Sequence, residues 1–180
     1  IDIEDYLASL ELKMTIFQDV ESIIPRMSQM SQKTNQFNLT TKRYTEGDIQ
    51  NFIDESNSSV YAFSLSDKFG DSGVTGLSIV TANGKTKTAE IDTLLISCRV
   101  IGRNIEYAFM NYVIEKTKEK KVNALKAKYI KTRKNEQVKE FFEKCSFVML
   151  ESTDSVRNYN LDLIKYEPKI LNYIEVVNGK

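Results

Sequence analysis

The chain has 180 residues, with 25 Lys or Arg against 25 Asp or Glu, and no histidine. Zero net charge argues against general nucleic-acid binding, and the absence of His excludes a His-based triad or a His metal site. No apolar run approaches the roughly 18 residues of a membrane span, and two cysteines, Cys98 and Cys145, give neither a disulfide framework nor a metal-ligand spacing, so a reducing cytoplasm and no metal are expected.

Ile1 is not a natural start, so the chain is expected to be a piece of a longer protein, with residues 1–9 as a linker or the tail of a helix and residues 10–180 as one domain. Leu10 to Phe17 alternates and is rich in β-formers, which predicts a first strand. Helix starts at Asp19–Ser22 precede an apolar face of Ile23, Ile24, Met27 and Met30, and Pro25 fits the first turn of that helix. Gln32 to Tyr44 is dense in amides and hydroxyls. Asn35, Gln36, Asn38 and Thr40 are candidate substrate-binding residues there, because they offer fixed uncharged donors and acceptors; an ordinary polar surface loop has the same composition.

Thr45–Asp48 reads as a helix start, with the helix running to about Ser56. Val60–Ser66, Val74–Thr81 and Thr88–Cys98 read as a three-strand meander, with turns at Asp67–Gly73 and Ala82–Lys85. After a polar turn containing Gly102, Ile105, Ala108, Phe109, Tyr112 and Val113 recur at helical spacing up to about Lys120. Val122–Ile130 predicts a strand, Asn135–Cys145 a helix, and Phe147–Glu151 and Arg157–Ile164 two antiparallel closing strands; Pro168–Val177 has no clear pattern. The order is mixed α/β.

The centre of the chain is the passage from the apolar run Leu94–Ile96 through Cys98–Asn104 into the following helix. A helix N-terminus has unpaired N–H groups and a positive dipole end, and a glycine lets an anion approach the backbone. Glu90 and Asp92, two residues apart on the preceding strand and expected to share a face with Cys98, are candidate general bases. Cys98 adjoins Arg99 and the helix start, features that activate a thiol, so it is a candidate acyl carrier; a buried, inert Cys is the plainer reading. From Lys116 to Lys134 there are nine Lys or Arg and one acid, Glu119, which is either a solvated face or a patch for an anionic partner.

The spacing Arg99-x-x-Gly102-x-Asn104 resembles the pyrophosphate-binding loop of GNAT acyltransferases, with Asn104 departing from the usual Gly or Ala. The strings TNQFNLTTKRYT (Thr34–Thr45), DKFGDSGVTGLSIV (Asp67–Val80), IDTLLISCRVIGRNIE (Ile91–Glu106) and KNEQVKEFFEKCSF (Lys134–Phe147) closely resemble the C-terminal region of FkbH-like proteins. That resemblance implies a GNAT-like fold, a central, mostly antiparallel sheet flanked by helices. It also implies a missing N-terminal HAD-type phosphatase domain, a place in polyketide, antibiotic or polysaccharide biosynthesis, and an acyl carrier protein as partner. The Asp-x-Asp-x-Thr nucleophile of HAD enzymes is absent, so no phosphatase activity is expected.

By the same resemblance, Arg99, Val100, Ile101, Gly102, Arg103 and Asn104 would hold the pyrophosphate of acetyl-CoA, another acyl-CoA or a carrier's phosphopantetheine. Asn135 would lie beside the pantetheine arm. Phe142 stands where GNAT enzymes often have a proton-donating Tyr, and Ser146 replaces the usual Gly before Phe147. Two functions follow. One is acyl transfer; the other is a non-catalytic GNAT-like module that docks a carrier protein or substrate for the HAD domain.

Overall fold

A computed structural model describes residues 2–179. The Asp2 side chain caps a short helix, α1 (Ile3–Ser9), by accepting from the Glu4 N–H. Of the two readings of this segment, linker or helix tail, the structure has a helix, and its Leu7 is buried in the main core. Strand β1 (Leu12–Gln18) turns Leu12, Met14 and Ile16 inward by simple alternation. A 3-10 turn at Glu21–Ile23 leads into α2 (Ile24–Lys33), with Pro25 in the first turn, where no N–H is needed. Helix α3 (Glu46–Asp54) opens on a capping box, in which Thr45 Oγ1 accepts from the Asp48 N–H and the Asp48 carboxylate accepts from the Thr45 N–H.

The meander is β2 (Ser58–Asp67), β3 (Gly70–Asn83) and β4 (Thr88–Ile96). Strand β3 begins four residues before the expected Val74, because the Asp67 carboxylate accepts the N–H groups of Phe69 and Gly70 and makes a tight turn of what reads as a long one. There follow α4 (Ile105–Lys118), β5 (Ala124–Ile130), α5 (Phe141–Lys144), β6 (Val148–Ser152), β7 (Val156–Asp162) and β8 (Ile174–Asn178). The predicted helix at Asn135–Cys145 is broken into a 3-10 turn, Glu136–Val138, and the four residues of α5, since Asn135 is anchored in the core and tightens the first turn. The C-terminal tail is a strand, β8, and lies parallel to β1.

One sheet of eight strands results, in the order β6-β7-β5-β4-β3-β2-β1-β8. Among the described residues only β4–β5 and β1–β8 are parallel. Apolar side chains fill both faces. Ile24, Met27, Met30 and Ile49 pack on Val60, Ala62, Leu77, Ile79 and Leu95, while Phe109, Val113 and Ile114 of α4 pack on the opposite face with Tyr61, Phe63 and Leu94. The Phe63 ring lies across Gly76, where a Cβ would come within 1.9 Å of it.

Two irregularities shape the centre of the sheet. The register jumps from Ile79 opposite Thr93 to Val80 opposite Ile91, so Asp92 is the extra residue of a β-bulge. The parity of β4 reverses there, and Ile91 and Leu94 face the same core. Second, β4 and β5 pair only from Thr88 to Glu90 and then part. The segment Phe37–Thr40 enters the gap: the Leu39 N–H donates to Leu94 O (3.1 Å), the Ile96 N–H to Phe37 O (3.0 Å) and the Ile130 N–H to Leu39 O (2.8 Å). This wedge satisfies backbone groups that the parting strands would otherwise leave buried and unpaired.

Candidate functional site

The turn after β4 is built to present backbone N–H groups. Cys98–Val100 forms a single 3-10 turn, Gly102 has φ +100° and Asn104 has φ 61°. Both residues sit in the left-handed region that Gly and Asn tolerate best. Among the described residues, the N–H groups of Ile101, Gly102, Arg103 and Asn104 donate to no backbone acceptor, and they lie at the N-terminus of α4. Asn104 makes no side-chain cap; its Nδ2 donates to the Tyr173 hydroxyl (2.8 Å), tying the turn to the C-terminal segment. Val100 is wholly buried, so it can contribute only backbone.

Arg103 does not face this turn's ligand space. Its guanidinium is paired with Asp67 Oδ2 at 2.9 Å; the Phe69 N–H first, and then this pair, draw the Asp67 carboxyl below its ordinary pKa. The expected charge contact of Arg103 with a pyrophosphate is corrected accordingly: the side chain joins the loop to the β2–β3 turn.

A cavity of about 990 Å³ opens beside the turn. It brings together Asn35, Gln36, Cys98 and Arg99, which come from two distant parts of the chain. Cys98 is exposed. Sequence reasoning missed Arg26 and Lys33, which also line it; they lie seven residues apart on α2, on either side of Met30, and that spacing was the available signal. Of the basic segment Lys116–Lys134, only Arg133 and Lys134 reach the cavity. Lys116 and Lys118 pair instead with Glu119 and Glu115 on the same helix, and Lys128 lies 4.0 Å from Glu90.

The other candidates lie elsewhere. The bulge at Asp92 breaks the alternation that would have put Glu90, Asp92 and Cys98 on one face. Glu90 is exposed at the far end of β4. Asp92 accepts from Lys42 Nζ (2.9 Å), the Tyr44 hydroxyl (2.6 Å) and the Thr93 hydroxyl (2.8 Å). Burial and the Asp92 carboxylate raise the Tyr44 phenol pKa, so Tyr44 stays a donor. Asp92 is therefore a bracket for the Lys42–Tyr44 segment, and neither carboxylate is placed as a base.

Asn38 and Thr40 also have structural work. Asn38 is fully buried; its Oδ1 accepts from the Thr41 N–H and its Nδ2 donates to Thr34 O. The Thr40 hydroxyl donates to Asp92 O. Asn135 has no exposed surface. Its Nδ2 donates to Asn38 O and Ile130 O (both 2.9 Å), and its Oδ1 accepts from the Thr132 N–H (2.8 Å) and the Tyr129 hydroxyl (3.1 Å). Every hydrogen-bonding position of that amide is filled by protein. The expected roles of these three side chains in ligand contact are corrected on that ground. Phe142 is buried among Phe141, Phe147 and Tyr159, and Ser146 takes φ 72°, the conformation for which a glycine is usual.

A third residue that sequence reasoning missed is Glu106, in the first turn of α4. It is only 9% exposed, and its Oε2 has no partner among the described residues. It lines a cavity of about 270 Å³ between α4 and α5, with Phe37, Tyr107, Phe141 and Lys144. Burial pushes its carboxyl pKa above the ordinary 4.5, against the pull of its own backbone N–H and of Lys144. The folded chain thus binds this proton more tightly than the unfolded chain. Stability rises as pH falls from the raised folded value towards 4.5, and above that window the ionised group destabilises the fold by a constant amount. Glu106→Gln is expected to stabilise the protein by on the order of 1 kcal/mol at neutral pH. The gain should vanish below the ordinary carboxyl pKa, as urea unfolding at both pH values would show.

No protein-family model matches the sequence, and no curated protein matches it. Solved structures do. The spermidine N-acetyltransferase from Vibrio cholerae in complex with CoA and spermine is similar at TM-score 0.66 and 13% identity, over 85% of this chain and 97% of that one. The ribosomal-protein-S18-alanine N-acetyltransferase from Escherichia coli is similar at TM-score 0.63 and 12% identity, over 83% and 94%. A protein of the GNAT acetyltransferase family from Desulfovibrio desulfuricans is similar at TM-score 0.64 and 13% identity, over 83% and 99%. The chain has the GNAT acetyltransferase fold, as its sequence leads one to expect.

Proposed function

We propose that the chain is an acyltransferase that binds an acyl-CoA, acetyl-CoA included, or the phosphopantetheine of an acyl carrier protein, and that moves the acyl group by way of Cys98. The observation that carries this reading is the juxtaposition of the free N–H groups of Ile101–Asn104, at the start of α4, with a large cavity holding an exposed thiol. Backbone N–H groups and the helix dipole suit a pyrophosphate, and Arg99 adds charge at the same turn. Glu90 lies elsewhere and Asp92 is engaged, so Cys98 alone of the three expected catalytic groups opens into the cavity. Attack of its sulfur on the acyl carbonyl would release the CoA or carrier thiol and leave a thioester for the acceptor.

The likeness to FkbH-like proteins adds the finer reading: a secondary-metabolite or polysaccharide pathway in the cytoplasm, a HAD domain in cis and a carrier protein as partner. Among the described residues no helix is long and apolar enough to cross a membrane.

One observation favours the second reading, a non-catalytic docking module. The Phe37–Thr40 wedge and the saturated Asn135 fill the gap along which a pantetheine arm beside Asn135 would lie. Calorimetric titration with acetyl-CoA, and separately with a phosphopantetheinylated carrier protein, divides the two. Saturable CoA binding that weakens at least tenfold on Gly102→Val is expected, because a β-branched residue at φ +100° cannot keep the turn. Carrier binding without CoA binding would leave a docking or carrier-loading role, and absence of acyl transfer from the loaded carrier would then select the docking module.

A further inference from the structure

The cavity beside Cys98 carries charge of one sign only. Five cations line it: Arg26 and Lys33 from α2, Arg99 from the turn after β4, and Arg133 and Lys134 from the segment after β5. No Asp or Glu lines it, and none of the five is in an ion pair among the described residues. Arg26 is held in place, with its Nε donating to Val74 O (3.0 Å) and its Nη1 to Gln29 Oε1 (2.8 Å). Burial lowers the pKa of its guanidinium, and the positive charge of the nearby Arg99 lowers it further.

Such an arrangement is unfavourable when empty and is relieved by an anion. With Arg99 given to the turn's pyrophosphate, the guanidinium forks of Arg26 and Arg133 and the ammonium groups of Lys33 and Lys134 remain, and they match the oxygens of a phosphate better than a single carboxylate does. The volume, about 990 Å³, far exceeds a phosphate ion, and Asn35, Gln36, Met30 and Phe37 supply amide and apolar wall for the remainder of a ligand. The same charges would repel a polycation, so the spermine bound by the Vibrio cholerae neighbour is no guide to the ligand here.

We infer that this cavity binds a small phosphorylated molecule, the acyl acceptor, alongside the CoA held by the Ile101–Asn104 turn. The inference rests on the acyltransferase reading above, but the site can be tested apart from it. The phosphate could belong to a separate ligand or to CoA itself, and the experiment has an arm for each. Inorganic phosphate is titrated into the full chain by calorimetry, with and without saturating CoA, and the backbone amides of Arg26, Lys33 and Arg99 are followed by NMR.

Saturable phosphate binding that persists with CoA present, and that Arg26→Gln/Lys33→Gln weakens at least tenfold while CoA affinity stays within twofold, is the expected result. Lys33→Gln alone, an exposed change that does not threaten the fold, should weaken it severalfold. Displacement of phosphate by CoA would overturn the second-ligand inference and assign the cavity to CoA's own phosphates. Absence of phosphate binding would overturn it outright. Phosphate binding with neither CoA nor phosphopantetheinylated carrier bound would support the anion site and sink the acyltransferase reading instead.

Discussion

Replacing Asn135 by alanine is expected to destabilise the fold by about 4 kcal/mol, a drop that a urea unfolding midpoint would register directly. The side chain is completely buried and makes four hydrogen bonds. Alanine would leave the carbonyls of Asn38 and Ile130 and the N–H of Thr132 without these partners, in a region from which water is excluded. Each such group costs about 1–3 kcal/mol when left unmade. The effect is local in origin but central in consequence, because the Asn38 bond fastens the wedge between β4 and β5. Asn135→Asp should be nearly as damaging, since the carboxylate keeps the shape but loses both donors. An Asn135→Ala variant of unchanged stability but reduced CoA affinity would show instead that this amide serves the ligand.

Replacing Cys98 by alanine is expected to reduce acyl transfer by about a hundredfold or more while leaving stability within about 0.5 kcal/mol. Cys98 is exposed, so little packing is lost. Cys145 is the internal control. It is buried, and desolvation raises the pKa of its thiol, so it should stay unmodified when the protein is incubated with acyl-CoA. Mass spectrometry after such incubation should find one acyl adduct, on Cys98, lost in Cys98→Ala. Wild-type transfer rates in that variant would mean that the acyl group passes directly to the acceptor.

Much of the architecture is written in short-range signals. The alternation of Leu12, Met14 and Ile16, the Thr45–Asp48 capping box, the helical spacing from Ile105 to Val113 and the glycine at 102 each act over a few residues, so they can be read without knowing what lies opposite. The turn after β4 was legible for the same reason: the tolerance of Gly102 and Asn104 for left-handed backbone belongs to those residues alone.

The assignment of side chains to tasks was not legible in this way. Asp92 and Glu90 looked like a pair on one face until the bulge opposite β3 reversed the parity of the strand. Arg103 looked like a phosphate ligand until folding set it against Asp67, 36 residues away. Asn38, Thr40 and Asn135 looked like ligand contacts, and folding uses them to seat one loop between two parting strands.

By itself, then, the sequence determined the order of strands and main helices from β1 to β7, the mixed α/β class, the glycine-containing turn after β4 and the absence of histidine from this chain, because local backbone preference and composition suffice for these. Only the tertiary structure decided that Cys98 faces a cavity whose cations come from three distant segments, that the β4–β5 gap is occupied by the chain's own Phe37–Thr40, and that the tail closes the sheet as a parallel strand. Strand register, charge pairing and the burial of an amide depend on which residues meet across the sheet, and those partners are named only when the chain has folded.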